Sequence, residues 1–169
     1  AEILTLMNVL SERDLFFRHL AQTSDAPLAL EIDRAEGIYL YDKAGKSYID
    51  LISGISVSSI GHRHPHVLKA INNQLEHYMH LIVYGEYIQS PQVQLAKKLA
   101  SFLPDPLQSC YFVNSGSEAI EGALKLAKRF TRRSGICSFR NAYHGSSHGA
   151  LSVMGNESFK QAFRPLLPD

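Results

Sequence analysis

The sequence predicts an α/β protein, an incomplete one, in which an antiparallel meander precedes the first part of a larger, mixed and mostly parallel sheet. Three observations carry that prediction. Short alternating apolar runs punctuated by glycine crowd residues 28–51. Strand, tight turn, helix and second strand then follow one another between Cys110 and Phe139, within about 30 residues, the span of a βαβ unit with a right-handed crossover. The composition, 45% hydrophobic and 20% charged over 169 residues, is that of an ordinary globular chain with enough apolar material for a core.

Taken in order, Ser11-Glu12-Arg13-Asp14 has capping-box spacing ahead of Leu15, Phe16, His19 and Leu20, which predicts a short helix ending before Pro27. The runs LALEIDR, IYLYD and KSYIDL, separated by AEG and KAG, predict three antiparallel strands. After Gly54 the period changes. Pro65 suits a first helical turn, and Val67, Leu68, Ile71, Leu75 and Tyr78 recur at helical spacing. A further helix takes Ser90 as its cap and Pro91 as its first residue, with Val93, Ala96, Leu99 and Ala100 on one face and the PDP sequence at 104–106 closing it. Cys110–Val113 and Ile136–Phe139 read as buried strands. Between them the turn Asn114–Ser117 leads into a helix over Glu118–Arg133, with Ala119, Ile120, Ala123, Leu124 and Ala127 on its apolar face. The expected division is residues 1–53, a terminal helix with antiparallel strands, and residues 54–169, the start of the larger sheet domain.

The formal net charge of +1 calls for neither a nucleic acid nor a membrane as partner. No run of about 18 apolar residues argues for a transmembrane helix, and the start AEILTLMNVLSERD lacks the basic and apolar regions of a secretory signal. Cys110 and Cys137 read as two isolated buried thiols, which fits a reducing, cytoplasmic home.

Two segments have the makings of a binding site. The turn NSGSEA opens a helix straight after a strand, where the first backbone N–H groups lack helical partners and carry the positive end of the macrodipole. Gly116 removes the Cβ that would hold an anion off, and the hydroxyls of Ser115 and Ser117 can add hydrogen bonds, so the turn is built for a phosphate. By itself it is explained better as an ordinary serine-capped helix. It matches neither the GxGxxG fingerprint nor the P-loop, which leaves a small phosphate-bearing cofactor open rather than a nucleotide. The second segment, Ala142–Ser147, follows the strand at Ile136–Phe139. Ligands of open α/β sheets lie beyond the carboxyl ends of the strands, so both turns should project on one side. The ring of Tyr143 could stack there on a flat cofactor, or simply pack on the core. His62, His64 and His66 alternate in GHRHPH, but with no Cys, Asp or Glu nearby and Pro65 turning the chain, helix capping and exposure explain them better than zinc. The stripe of Lys125, Lys128, Arg129, Arg132 and Arg133 reads as a solvated helix face rather than a nucleic-acid patch.

Together these stretches resemble the class III aminotransferases of pyridoxal-phosphate fold type I, the acetylornithine, ornithine and 4-aminobutyrate type. The resemblance runs through GIYLYDKAGKSYIDLISGISVSSIGHRHPHV, FVNSGSEAIEGALKLAKRF and NAYHGSSHGALSV, in that order and at the family's separations. It implies that Gly116 and Ser117, with Ser115 nearby, hold the phosphate of pyridoxal 5'-phosphate, that Tyr143 stacks on its ring with His144 beside it, and that Ile55 and Tyr84 line the substrate pocket. The implied activity moves an amino group from an ω-amine or amino acid to a 2-oxo acid, in a homodimer. Aminomutase or racemase chemistry on the same fold, or a non-catalytic fragment, are the alternatives. The family's cofactor-bearing lysine and the aspartate at its pyridine nitrogen fall beyond the equivalent of residue 169. None of the lysines here, from Lys43 to Lys160, has a family counterpart, so no catalytic residue is expected within this chain, which reads as the N-terminal portion of a longer protein.

Overall fold

A computed structural model describes residues 10–82 and 84–167. The outermost residues at both ends, including most of the stretch weighed above as a secretory signal, lie outside that range. The chain divides into two compact units, residues 1–83 and 84–169.

The first unit opens with α1 (Glu12–His19), and its capping box forms as the spacing predicts. The Asp14 amide donates to Ser11 Oγ at 3.1 Å and the Ser11 amide to Asp14 Oδ2 at 2.9 Å. Three antiparallel strands follow, β1 (Ile32–Glu36), β2 (Tyr39–Asp42) and β3 (Ser47–Ile49), in the order β1-β2-β3. The expected first strand loses residues 28–31, and an irregularity interrupts its register between Ile32 and Arg34. Asp42 sets the second turn: Oδ1 accepts from the Ala44 and Lys46 amides and Oδ2 from the Tyr48 hydroxyl.

Beyond β3 the chain makes a single irregular turn, α2 (Ser53–Ser56), in which Ser53, Gly54, Ile55 and Ser56 have φ of 51°, 59°, 64° and 63°. Left-handed backbone costs an L-residue about 1–2 kcal/mol, so three non-glycine residues here are held against their preference. Asp50 does the holding. Its Oδ1 accepts from the Ile52 and Ser53 amides at 3.1 and 2.8 Å, and its Oδ2 lies 2.7 Å from His62 Nε2. His62 is itself anchored by paired backbone hydrogen bonds with Gly37 in the first hairpin turn. The histidine cluster is thereby dispersed, since His64 caps α3 (Pro65–Leu75) through Nδ1 and the three do not converge. Tyr78 lies past the end of that helix.

The second unit contains α4 (Ser90–Ala100), α5 (Gly116–Thr131) and α6 (His148–Ser152), then two 3-10 turns at Glu157–Phe159 and Gln161–Phe163. Three expectations need correction here. Helix α4 starts one residue early, with Gln89 at the cap position and no side-chain cap, so Ser90 is already helical. Helix α5 starts at Gly116 and stops at Thr131, because Ser115 is the cap and Arg132 turns left-handed with φ 60°. Residues 110–113 and 136–139 run without strand pairing, and Cys137 is exposed rather than buried. A strand exists only through a partner, and these two apolar segments flank α5 without meeting a ladder neighbour among the described residues. The α/β class stands, and among the described residues the one sheet is the small antiparallel one. Ala150, Leu151 and Met154 form the buried core, where α6 packs on α5. No described helix is long and apolar enough to cross a membrane.

The hold of Asp50 on the α2 turn generates a pH dependence. The Ser53 amide first, and His62 second, hold the Asp50 carboxyl below its usual range. A depressed carboxyl adds stability that is complete above the unfolded value of about 3.9 and is lost as pH falls through the folded value. Denaturation midpoints of the wild type should therefore drop below about pH 4 more steeply than those of Asp50→Asn. Parallel profiles would show that Asp50 contributes no charge-dependent hold.

Candidate cofactor site

The site is built on the first turn of α5. Ser115, extended at φ −149° and ψ 162°, places its Oγ to accept from the Glu118 amide at 3.2 Å, and the Ala119 amide reaches the Ser115 carbonyl at 3.1 Å. The Glu118 carboxylate turns back to accept from the Asn114 amide at 2.7 Å. The amides of Gly116 and Ser117 are left with no protein acceptor among the described residues. They are the two donors at the positive end of a 16-residue helix. A Cβ built on Gly116 would meet nothing within 4 Å, so the space beside Gly116 is open.

The second motif arrives at the same place. The Ser146 amide donates to Ser117 Oγ at 3.1 Å, and because that oxygen only accepts, its own proton remains free to donate. Gly145, at φ 126°, makes the approach possible: a Cβ there would overlap Ser117 Oγ and come within 2.9 Å of Ser117 Cα. The two turns therefore project on one side, as their positions in the sequence predict. Tyr143 is 65% exposed, its hydroxyl 3.0 Å from Ser146 Oγ and its ring edge-on to Phe159 at 6.1 Å between centroids. Its neighbour His144 faces the other way. It lines an apolar crevice with Ile120, Ala123, Leu124 and residues 136–139, and its Nε2 is buried without a hydrogen-bond partner.

Sequence reasoning missed Glu121. Its Oε1 accepts from the Ser147 hydroxyl at 2.6 Å and the Ala150 amide at 3.0 Å, tying α5 to α6. The Ser147 hydroxyl above all, with the Ala150 and Gly149 amides, keeps this carboxyl below its usual range against the opposing effect of burial. The available signal was its spacing, one turn on from Ser117. Of the residues expected at the substrate pocket, Ile55 lies in the left-handed turn of the first unit and is 84% exposed, and Tyr84 begins the second unit and is 72% exposed.

The close approach at Gly145 can be tested by itself. Gly145→Ala should destabilise the protein by about 2 kcal/mol, since it adds both an overlap with Ser117 and a strained φ. Wild-type stability on chemical denaturation would mean the loop is seated elsewhere.

Known proteins resemble this chain in sequence and in fold. Residues 20–169 match the family model Aminotransferase class-III. The acetylornithine aminotransferase of Archaeoglobus fulgidus is 41% identical over 150 residues, 89% of this chain and 39% of that protein. A thermostable (S)-enantioselective omega-transaminase from Thermomicrobium roseum superposes with a TM-score of 0.80 at 31% identity, over 89% of this chain and 36% of that one. The adenosylmethionine-8-amino-7-oxononanoate aminotransferase of Methanocaldococcus jannaschii gives 0.82 at 31% identity, over 92% and 38%. The chain thus spans well under half the length of the relatives it matches, and its fold is part of the fold-type-I transaminase architecture. On a match that covers nearly all of its residues, the chain belongs to the class III aminotransferase family.

Proposed function

We propose that this chain binds the phosphate and the ring of pyridoxal 5'-phosphate within an aminotransferase that moves an amino group from an ω-amine or amino acid to a 2-oxo acid. Class III aminotransferases are pyridoxal-phosphate enzymes. One observation carries the reading to this chain's residues: the unpaired Gly116 and Ser117 amides at the start of α5, with open space beside Gly116. The donor set fits a phosphate in charge and chemistry.

When bound, the cofactor supplies an electron sink for the bond broken at the amino-bearing carbon. This chain's own residues bind and orient. Gly116 and Ser117 donate backbone N–H groups, and the Ser115 and Ser117 hydroxyls are free to donate as well. Tyr143 offers an accessible aromatic face to a flat ring. His144, the residue that the family resemblance sets beside the ring, packs against α5 with Nε2 buried and so bears on the site through the placement of its neighbour Tyr143. Ile55 and Tyr84, both displayed outward, are assigned to the substrate. No proton-transfer role falls to a side chain of this chain. The names of the relatives, an acetylornithine aminotransferase and an omega-transaminase, support an amine or amino acid as donor. A homodimer in the cytoplasm is part of the same proposal and rests on family resemblance.

Titration of the purified protein with pyridoxal phosphate, followed by absorbance, tests the assignment. Gly116→Val should raise the dissociation constant at least about tenfold, because the side chain fills the approach to the two amides. Tyr143→Ala should weaken binding by about 1 kcal/mol, the scale of one aromatic contact. An unchanged constant in Gly116→Val would remove the phosphate from this turn, and an unchanged constant and spectrum in Tyr143→Ala would remove the stacking.

A further inference from the structure

We propose that Glu121 is a positioning residue for the cofactor site, acting with Ser117 as a two-point clamp on the loop that carries Tyr143. The inference rests on the proposed function and adds a residue that takes no part in binding the phosphate.

Ser117 and Glu121 are four residues apart on α5 and so lie on one face, about 6 Å from each other. They engage consecutive residues of the loop: Ser117 Oγ takes the Ser146 amide at 3.1 Å, and Glu121 Oε1 takes the Ser147 hydroxyl at 2.6 Å. One hydrogen bond fixes a distance and leaves rotation about it free. Two, a helical turn apart, fix direction as well. Ser147 is the cap residue of α6, yet its side chain makes no cap bond to that helix. Its hydroxyl is spent on Glu121, and the carboxylate accepts the Ala150 amide of α6 in its place. Gly149 is required by the same contact, since a Cβ there would overlap Glu121 Oε2. The loop from Tyr143 to Ser147 is thus held at its far end by a carboxylate from α5. Without that hold, the hydrogen bonds left to refer Tyr143 to the helix would be that of the Ser146 amide to Ser117 Oγ and its own hydroxyl contact with Ser146 Oγ, beside the packing of His144 against α5.

A carboxylate that only stabilised the fold would weaken every ligand alike. A clamp on Tyr143 weakens the ring contact and spares the phosphate donors. In the purified protein, Glu121→Ala should raise the pyridoxal phosphate dissociation constant about fivefold, on the scale of the one aromatic contact it positions. Competition by inorganic phosphate alone should stay within about twofold, because the Gly116 and Ser117 amides are untouched. Glu121→Gln keeps an oxygen that accepts from both Ser147 and Ala150 and should restore wild-type affinity to within about twofold. Combined with Tyr143→Ala, Glu121→Ala should add little, since both changes remove the same contact. Equal losses for phosphate and cofactor, or full additivity with Tyr143→Ala, would overturn the clamp. So would an unchanged affinity in Glu121→Ala while Gly116→Val still weakens binding, and the functional reading would then stand. No effect of Gly116→Val would instead take down the functional reading, and the clamp with it.

Discussion

The hydrogen bond from the Ser146 amide to Ser117 Oγ joins two turns that are 29 residues apart in sequence. Ser117 is constrained from both sides. Its backbone amide has no protein acceptor among the described residues, and its side chain accepts from a loop that closes over it. Serine meets both demands, because the hydroxyl accepts with a lone pair and keeps its proton. Alanine would lose the loop, and a larger residue would meet the backbone at Gly145. The rest of the second unit follows from that constraint. Gly145 permits the approach, Ser115 takes the Glu118 amide and leaves the two preceding amides open, and Glu121 repeats the grip a turn later. The same short stretch of helix therefore carries unpaired amides on its end and loop anchors on its side.

Much of this was legible in the residues. The capping box at Ser11, the meander, the helix that starts at Pro65 and the Ser-Gly-Ser turn each rest on local chemistry, and local chemistry is what a sequence states directly. The proximity of the two turns followed from a general rule about strand ends rather than from any strand pairing that forms here. What escaped the reading was non-local. Glu121 escaped because its partners, the Ser147 hydroxyl and the Ala150 amide, lie 26 and 29 residues further on. Asp50 looked like the end of a strand, while its three partners lie in the next turn and at His62. The strands at 110–113 and 136–139 failed for a related reason. Apolar composition reports that a segment wants cover, and pairing requires a neighbour that composition does not supply.

The first unit shows a different economy. Its left-handed turn stores strain in Ser53, Ile55 and Ser56, and the cost is met by one carboxylate that binds two amides and a histidine. The histidine is fixed in turn by the first hairpin, so the turn's geometry is referred back to the meander. Strain maintained in this way tends to mark positions where a side chain must be displayed at a set angle. Ile55, a β-branched residue at φ 64°, is the least comfortable of the three and among the most exposed.

The unpaired segments beside α5 have a consequence for handling. Among the described residues neither has a ladder partner, and Tyr111 and Phe139, both more than four-fifths exposed, stand in them. Such a segment is a template that accepts any extended chain of compatible pattern, with no preference for where that chain comes from. At low concentration water satisfies it. As concentration rises, copies of the polypeptide compete to fill one another's vacancies, and the outcome depends on how fast such encounters occur relative to pairing within a single molecule. Dilution and order of addition then become physical variables of the protein rather than details of its preparation.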